Sequence, residues 1–303
     1  MRLLDLLRKS TKELEAAGIE DPLPDAEMIV FHAVDMDRLD AYVNNPEIKS
    51  SDAARVRRLI RRRTNGEPVQ YIVGNIEFLG LTIKVGRGVL IPRPETELVV
   101  QEVITTIKSE ELGVRSKNKS SCVAPCVSRF TPHASLSILD LCTGSGCIAL
   151  ALAREFPDAE VFGTDVSKEA LVFAKKNARA NDVKNVTFLH GSLFEPVRGK
   201  KFKIITANPP YIRREELDTL QREIRDWEPV AALDGGQDGL DFYRNILSLA
   251  NNHLKPDGFI FLELGYDQAE VVQKLAREQG FKDVAIIKDY SGIGRILKAS
   301  AAH

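Results

Sequence analysis

The chain has 303 residues, 44% of them hydrophobic, and its Lys+Arg 42 against Asp+Glu 43 leave a net charge of -1. That composition excludes a disordered polypeptide and a global polycation that coats nucleic acid by neutralising phosphates. No run approaches the length of a membrane span, and four cysteines without a small disulfide-rich scaffold around them fit a reducing compartment, so a cytoplasmic protein is expected, with an organellar matrix as the alternative.

From the N-terminus, MRLLDLLRKSTKELEAAG spaces Leu3, Leu4, Leu7 and Leu14 along one helix face, and acids interrupt it too early for a secretory leader. Asp21-Pro22-Leu23-Pro24 breaks the pattern and DAEMIVFHAV resumes it. AARVRRLIRRRTNGEP then sets Val56, Leu59 and Ile60 against Arg55, Arg58 and Arg62, and Asn65-Gly66 with Pro68 ends that helix. Residues 1–70 therefore read as a small helical domain. Gly74, Gly80, Gly86 and Gly88 punctuate short extended pieces over residues 71–92, which read as a β-hairpin linker.

From residue 93 to 303, helical and extended segments alternate, which predicts an α/β domain with a mostly parallel sheet and helices on both faces. The last two predicted strands, DVAIIKD and GRILKA, are joined only by a Gly-containing turn and should form an antiparallel hairpin at that end of the sheet. Residues 109–136, Ser-rich and without periodicity, read as a flexible inserted loop.

Two motifs carry chemistry. LSILDLCTGSGCIALALA is an apolar strand ending in Asp140, a turn (Thr143, Gly144, Ser145, Gly146) and a helix of small residues. Glycine lets a ligand approach the backbone, and the helix start offers unpaired N–H groups. The next strand, VFGTDV, ends in Asp165, placed to accept hydrogen bonds from a ribose diol. A bare strand-to-helix turn shares this pattern, and the loop alone does not choose between a nicotinamide nucleotide and S-adenosylmethionine.

The second motif chooses. In FKIITANPPYIRR the strand must stop at Asn208, because Pro209 and Pro210 have no N–H for a ladder. An amide or exocyclic amine is a poor nucleophile. Held by Asn208 Oδ1 and the Pro209 carbonyl, its two hydrogens would aim the nitrogen's lone-pair face at an electrophile, with Tyr211 covering the planar group. An electrophilic methyl on a sulfonium meets that requirement and a nicotinamide does not. No strong base is needed, since the nitrogen readily loses its proton once cationic.

These residues resemble S-adenosylmethionine-dependent methyltransferases of amide or exocyclic amine nitrogens, and more closely the HemK-type peptide chain release factor glutamine methyltransferases. The resemblance runs through EPVQYIVGNIEFLGL, VLIPRPETE, DLCTGSGCIALALA, NPPYI, EPVAALDGGQDGLDFYR and LELGYDQ. It implies a Rossmann-like class I methyltransferase fold with a seven-stranded sheet, preceded by a helical substrate-recognition domain. It implies methylation of the glutamine amide in the Gly-Gly-Gln loop of class I release factors, the loop that enters the peptidyl transferase centre. By matching motif, Asn208, Pro209, Pro210 and Tyr211 would hold the glutamine, while Arg93, Glu95 and Thr96 line the pocket. Asp140, Thr143, Gly144, Ser145, Gly146 and Asn208 would surround the cofactor, with Asp165 on its ribose and Ser192-Leu193 beside the adenine. Two departures stand out: Cys142 where the family often has glycine, and Val230 where an arginine is frequent.

The competing reading is an adenine amino-methyltransferase acting on nucleic acid, which would use the same cradle but needs a phosphate-tracking surface and a way to extrude the base. Only the stretch Arg55 to Arg63 is basic, and it reads as the solvated face of a helix, with a docking face for an acidic surface on a release factor or RNA as the alternative, so no direct nucleic-acid binding is expected. Cys122, Cys126 and His133 offer zinc-like spacing without an evident fourth ligand, and no metal is expected. Cys142 and Cys147 read as small packing residues. Gly235-Gly236-Gln237 spells the presumed substrate's tripeptide and reads as a turn, with self-methylation at Gln237 as the alternative. A monomer is expected.

Overall fold

The computed structural model describes residues 1–111 and 136–302. Two compact units emerge. The first comprises Met1–Ile76, Val85–Ile91 and Asp218–Pro229, and the second Glu77–Lys84, Pro92–Leu217 and Val230–His303.

In the first unit, helices α1 (Leu3–Ala16), α2 (Pro22–Val34), α3 (Arg38–Asn44), α4 (Ser50–Thr64) and α5 (Val69–Val73) enclose a core that includes Leu3, Leu6, Leu14, Ile29, Val30, Val56 and Ile60. Of the apolar positions read from the sequence, Leu3, Leu7, Leu14, Val56, Leu59 and Ile60 are buried, whereas Leu4 is half-buried at the edge and Leu6 joins the core in its place. On α4, Arg55, Arg57, Arg58 and Arg61 are exposed. Arg62 makes a two-bonded pair with Glu67, and Arg63 is buried between Asp25 and Glu223. That basic run thus divides into a solvated face and a structural end. Gly74, with φ +86°, ends α5. Strands β1 (Asn75–Phe78) and β2 (Leu81–Lys84) pair as a hairpin, which is shorter than the extended region expected because the chain stays helical through Val73.

In the second unit, which takes in β2 and the end of β1, α6 (Thr96–Glu111) is the first helix, and with it the first three residues of the expected loop are helical. The remainder of that segment, with Cys122, Cys126 and His133, lies outside the described residues. The order continues β3 (Ser137–Leu141), α7 (Cys147–Glu155), β4 (Glu160–Asp165), α8 (Lys168–Ala180), β5 (Val186–His190), β6 (Phe202–Ala207), α9 (Arg222–Arg225, within the first unit), α10 (Asp241–Ala250), β7 (Leu254–Glu263), α11 (Ala269–Glu278), β8 (Lys282–Lys288) and β9 (Gly294–Ser300). The seven strands lie in the order β5-β4-β3-β6-β7-β9-β8. All neighbours pair in parallel except β9, which runs antiparallel between β7 and β8. The terminal hairpin is therefore as expected, with β8 outermost.

The strand order reverses between β3 and β6, and such a switch point opens a crevice beyond the carboxyl ends of the strands. β3 and β6 pair Leu141 with Ala207, so the glycine loop and Asn208 leave the sheet side by side. Their footing is apolar: Leu139, Leu141, Ile205, Ala207, Ile260 and Leu262 are all wholly buried.

Asn177 on α8 locks the glycine loop to β2. Its side chain is wholly buried, accepting from Lys84 N (2.8 Å) and donating to Lys84 O (3.1 Å) and Ser145 O (2.9 Å). Replacement by leucine keeps the volume and leaves three backbone groups without partners, so Asn177→Leu should lose about 3 kcal/mol in urea unfolding.

Candidate active site

After β3 the chain turns through Cys142, Thr143, Gly144, Ser145 and Gly146 into α7. Gly146 has φ +82°, and a Cβ there would lie 3.0 Å from the Phe188 ring and 3.2 Å from Ala174 Cβ, so close packing and backbone shape both require glycine. Gly144 has φ +55°, yet the nearest atom to a Cβ would be Cys142 O at 3.9 Å. Its side of the loop is open. Cys142 itself has φ +54°, the left-handed region, where a glycine would sit without strain. Burial and the nearby Asp165 and Asp140 push its thiol far up, and Cys147 is pushed up to about 12, so neither is a ready nucleophile.

Asp140 is wholly buried beneath this loop. It accepts from Thr143 Oγ1 (2.6 Å) and Thr206 Oγ1 (2.9 Å), and burial pushes its carboxyl up to about 7. Asp140, Thr143 and Ser145, read from the sequence as cofactor residues, are all buried and shape the loop from below. Asp165, at the end of β4, accepts from Gly144 N (2.8 Å) and Ser167 N (2.8 Å) and is only half-buried. Burial raises its carboxyl, opposed by those N–H groups. The exposed Ser192 and half-buried Leu193 follow β5, and Leu193 O accepts from Thr164 Oγ1 (2.9 Å), one residue before Asp165.

β6 ends at Ala207, and Asn208 follows as expected. Asn208 Nδ2 donates to Thr96 Oγ1 at the start of α6 (3.2 Å), and among the described residues Oδ1 receives no hydrogen bond. Pro209 and Pro210 are buried and rigid. The half-buried Tyr211 lies against Gly265, where an added Cβ would be 3.3 Å from its ring, and its Oη reaches Glu263 Oε1 at 3.4 Å. Burial and Glu263 hold its phenol protonated, against the charges of Arg295 and Arg93. The charge of Glu95 is felt at Glu263. Of Arg93, Glu95 and Thr96, Thr96 touches the Asn208–Tyr211 motif directly, while Arg93 and Glu95 act on Tyr211 and Glu263 through their charges.

Two residues of this site were not singled out from the sequence. Glu263, 2% exposed, ends β7 directly after its apolar run of residues 259–262. Gln268, 3% exposed, accepts from Gly265 N (3.1 Å) and donates to Tyr211 O (2.9 Å) and Gly239 O (3.2 Å). Both stand in LELGYDQ, and a carboxylate closing the apolar run of residues 259–262 was the available signal. The Gly235-Gly236-Gln237 stretch forms a turn here. Gly235 N donates to Ile212 O (2.8 Å), both glycines are buried, and a Cβ on Gly235 would fall 2.7 Å from Tyr211 Cα.

The chain is similar to known proteins over nearly its whole length. The PrmC N-terminal domain family matches residues 5–74, and the Methyltransferase small domain family matches residues 113–226. The Release factor glutamine methyltransferase of Thermodesulfovibrio yellowstonii is 41% identical over 98% of this chain and 97% of its own length. The protein of the same name from Geobacter sulfurreducens is 40% identical over 94% of this chain and 91% of its own. Among solved structures, the hMettl16 catalytic domain in complex with the MAT2A 3'UTR hairpin 6 superposes with a TM-score of 0.52 at 15% identity, covering 86% of each chain, a likeness of fold alone. At such identity across nearly its whole length, the chain belongs to the release factor glutamine methyltransferase family.

Proposed function

We propose that this chain transfers the methyl group of S-adenosylmethionine to the side-chain amide nitrogen of the glutamine in the Gly-Gly-Gln loop of class I peptide chain release factors. The observation that carries this reading is the Asn208 amide, its Nδ2 committed to Thr96 and its Oδ1 left as an acceptor, with the rigid Pro209 next in the chain to offer its carbonyl as the second. Two fixed acceptors fit the two hydrogens of one primary amide. Tyr211 supplies a protonated ring edge and a flat face against the planar group.

The cofactor's fit rests on the open side of Gly144 and on Asp165, whose oxygens each keep a lone pair after accepting one N–H. S-adenosylmethionine supplies, when bound, an electrophilic methyl carbon on a cationic sulfur. The chain's own task is to hold the amide nitrogen in line with that carbon and to exclude water from it. Recognition of the release factor falls to the helical unit in this reading, with no membrane and no nucleic acid involved. Among the described residues no helix is long and apolar enough to cross a membrane.

The test is transfer of labelled methyl to a purified class I release factor, beside a factor with its loop glutamine changed to alanine and a DNA control. Label on the unaltered factor alone is the expected result. Label on DNA with none on the factor overturns the reading.

A further inference from the structure

We infer that Glu263 and Thr96 form a positioning relay that sets which end of the Asn208 amide faces the substrate. The inference deepens the proposed function and rests on it for the identity of the bound amide. An asparagine amide is nearly symmetric in shape, with an acceptor at one end and a donor at the other, so its useful orientation must be imposed by what the unused end meets. Here that end meets Thr96 Oγ1, 3.2 Å from Asn208 Nδ2. A hydroxyl can donate or accept, and Thr96 alone therefore decides nothing.

Glu263 decides it. As the donor that lowers the pKa of the Glu263 carboxyl, the Thr96 hydroxyl would keep only lone pairs for Asn208 and so select Nδ2, the end found against it at 3.2 Å. Oδ1 is then turned toward the substrate N–H. Tyr211 Oη reaches the same carboxyl at 3.4 Å, so one buried group orients both polar side chains of the Asn208–Tyr211 motif. Glu263 is 2% exposed, and among the described residues its Oε2 has no hydrogen-bond partner. A buried carboxyl with an unpaired oxygen is a cost to folding that an apolar residue would avoid, and such a group belongs at a working site.

The relay has a pH dependence. Burial, the largest influence, pushes Glu263 up to about 7, with Glu95 acting in the same direction and Thr96, Tyr211 and Arg295 opposing. The other ionisable groups facing it are the Tyr243 phenol, which donates to the Glu263 backbone carbonyl (2.8 Å), and the Cys147 thiol, both protonated near neutrality. Below that pH the carboxyl becomes a donor, the Thr96 proton is freed to turn toward Asn208, and the amide is stabilised the wrong way round.

The experiment is single-turnover methyl transfer from pH 6 to 8 for the unaltered enzyme, Glu263→Gln, Thr96→Val and Thr96→Ser, together with a carbon-13 carboxyl titration of Glu263. The unaltered enzyme should gain roughly tenfold in rate per pH unit below the plateau, as a single ionisation requires. Glu263→Gln should be slower by about tenfold or more with a flat profile. Thr96→Val should lose a similar factor, while Thr96→Ser restores both rate and profile. In the titration, Thr96→Val should raise the Glu263 midpoint, because the carboxylate loses a donor. A flat profile in the unaltered enzyme, or a Glu263 midpoint unmoved by Thr96→Val, overturns the relay. The titration needs no substrate, so an enzyme inert toward release factors would overturn the proposed function while the relay is still decided.

Discussion

Asn208→Ala should lower kcat/KM for methylation of a release factor by about 10²–10³, the loss typical when one preorganised hydrogen-bonding group is removed from a reacting centre. The argument is geometric. Pro209 keeps its carbonyl, the glycine loop keeps its shape through Asp140 and Asn177, and Tyr211 stays fixed by Gln268, so the deletion removes one acceptor and little else. Asn208 is half-buried, and the bond lost with it is the one to Thr96, so its thermal midpoint should stay close to that of the unaltered protein. Asn208→Asp separates position from polarity. It retains an acceptor but loses the Nδ2 donor to Thr96, and brings a second carboxylate to the hydroxyl that the relay assigns to Glu263. Its activity should therefore fall between the two. An alanine variant that turns over within threefold of the unaltered enzyme, by label incorporation, would remove Asn208 from the mechanism.

The parts of this molecule that were legible in its sequence are those where one local rule decides the outcome. Pro209 and Pro210 could not continue a ladder, and β6 does end at Ala207. Helical spacing of Leu3, Leu7 and Leu14 reported a buried face correctly, and alternation of apolar runs with helices reported the parallel sheet. Less legible was anything set by distant residues meeting. The insertion of β9 between β7 and β8 is a matter of sheet order rather than of strand propensity. Asp218–Pro229 gave no local sign that it joins the helical unit, because its ties are Glu223 to Arg63 and Glu228 to the Ile91 N–H, each over a hundred positions away. For the site, Asp140 was recognised as a loop residue, but its burial beneath Thr143 and Thr206 depends on β6 lying beside β3. Glu263 and Gln268 escaped notice because their chemistry lies in their partners, Thr96 and Tyr211, which only the fold brings near.

Gly239→Ala should cost both stability and activity, about 2–3 kcal/mol in urea unfolding and roughly a hundredfold in kcat, through one backbone atom of the catalytic motif. Gly239 has φ +75°, and a Cβ there would stand 2.5 Å from Tyr211 O and 2.6 Å from Gln268 Nε2. Neither can yield cheaply, since Tyr211 O accepts from Gln268, and Gln268 is itself tied to Gly265 N and Gly239 O. The chain must move Tyr211, and with it the ring and the Pro209 carbonyl two residues before. Backbone strain alone has a built-in control in Gly199, with φ +76° and nothing within 4 Å of its added Cβ, where alanine should cost only about 1 kcal/mol and leave kcat unchanged. Gln268→Ala reaches the same atom from the other side, leaving the buried Tyr211 O and Gly265 N without that partner, and should also destabilise by about 2–3 kcal/mol. Because both changes act through the Tyr211 carbonyl, the double variant should fall well short of the sum of the two singles, the mark of residues that share one contact. Strict additivity in both stability and kcat would mean that the turn through Gly239 and the Gln268 amide support the motif by separate routes.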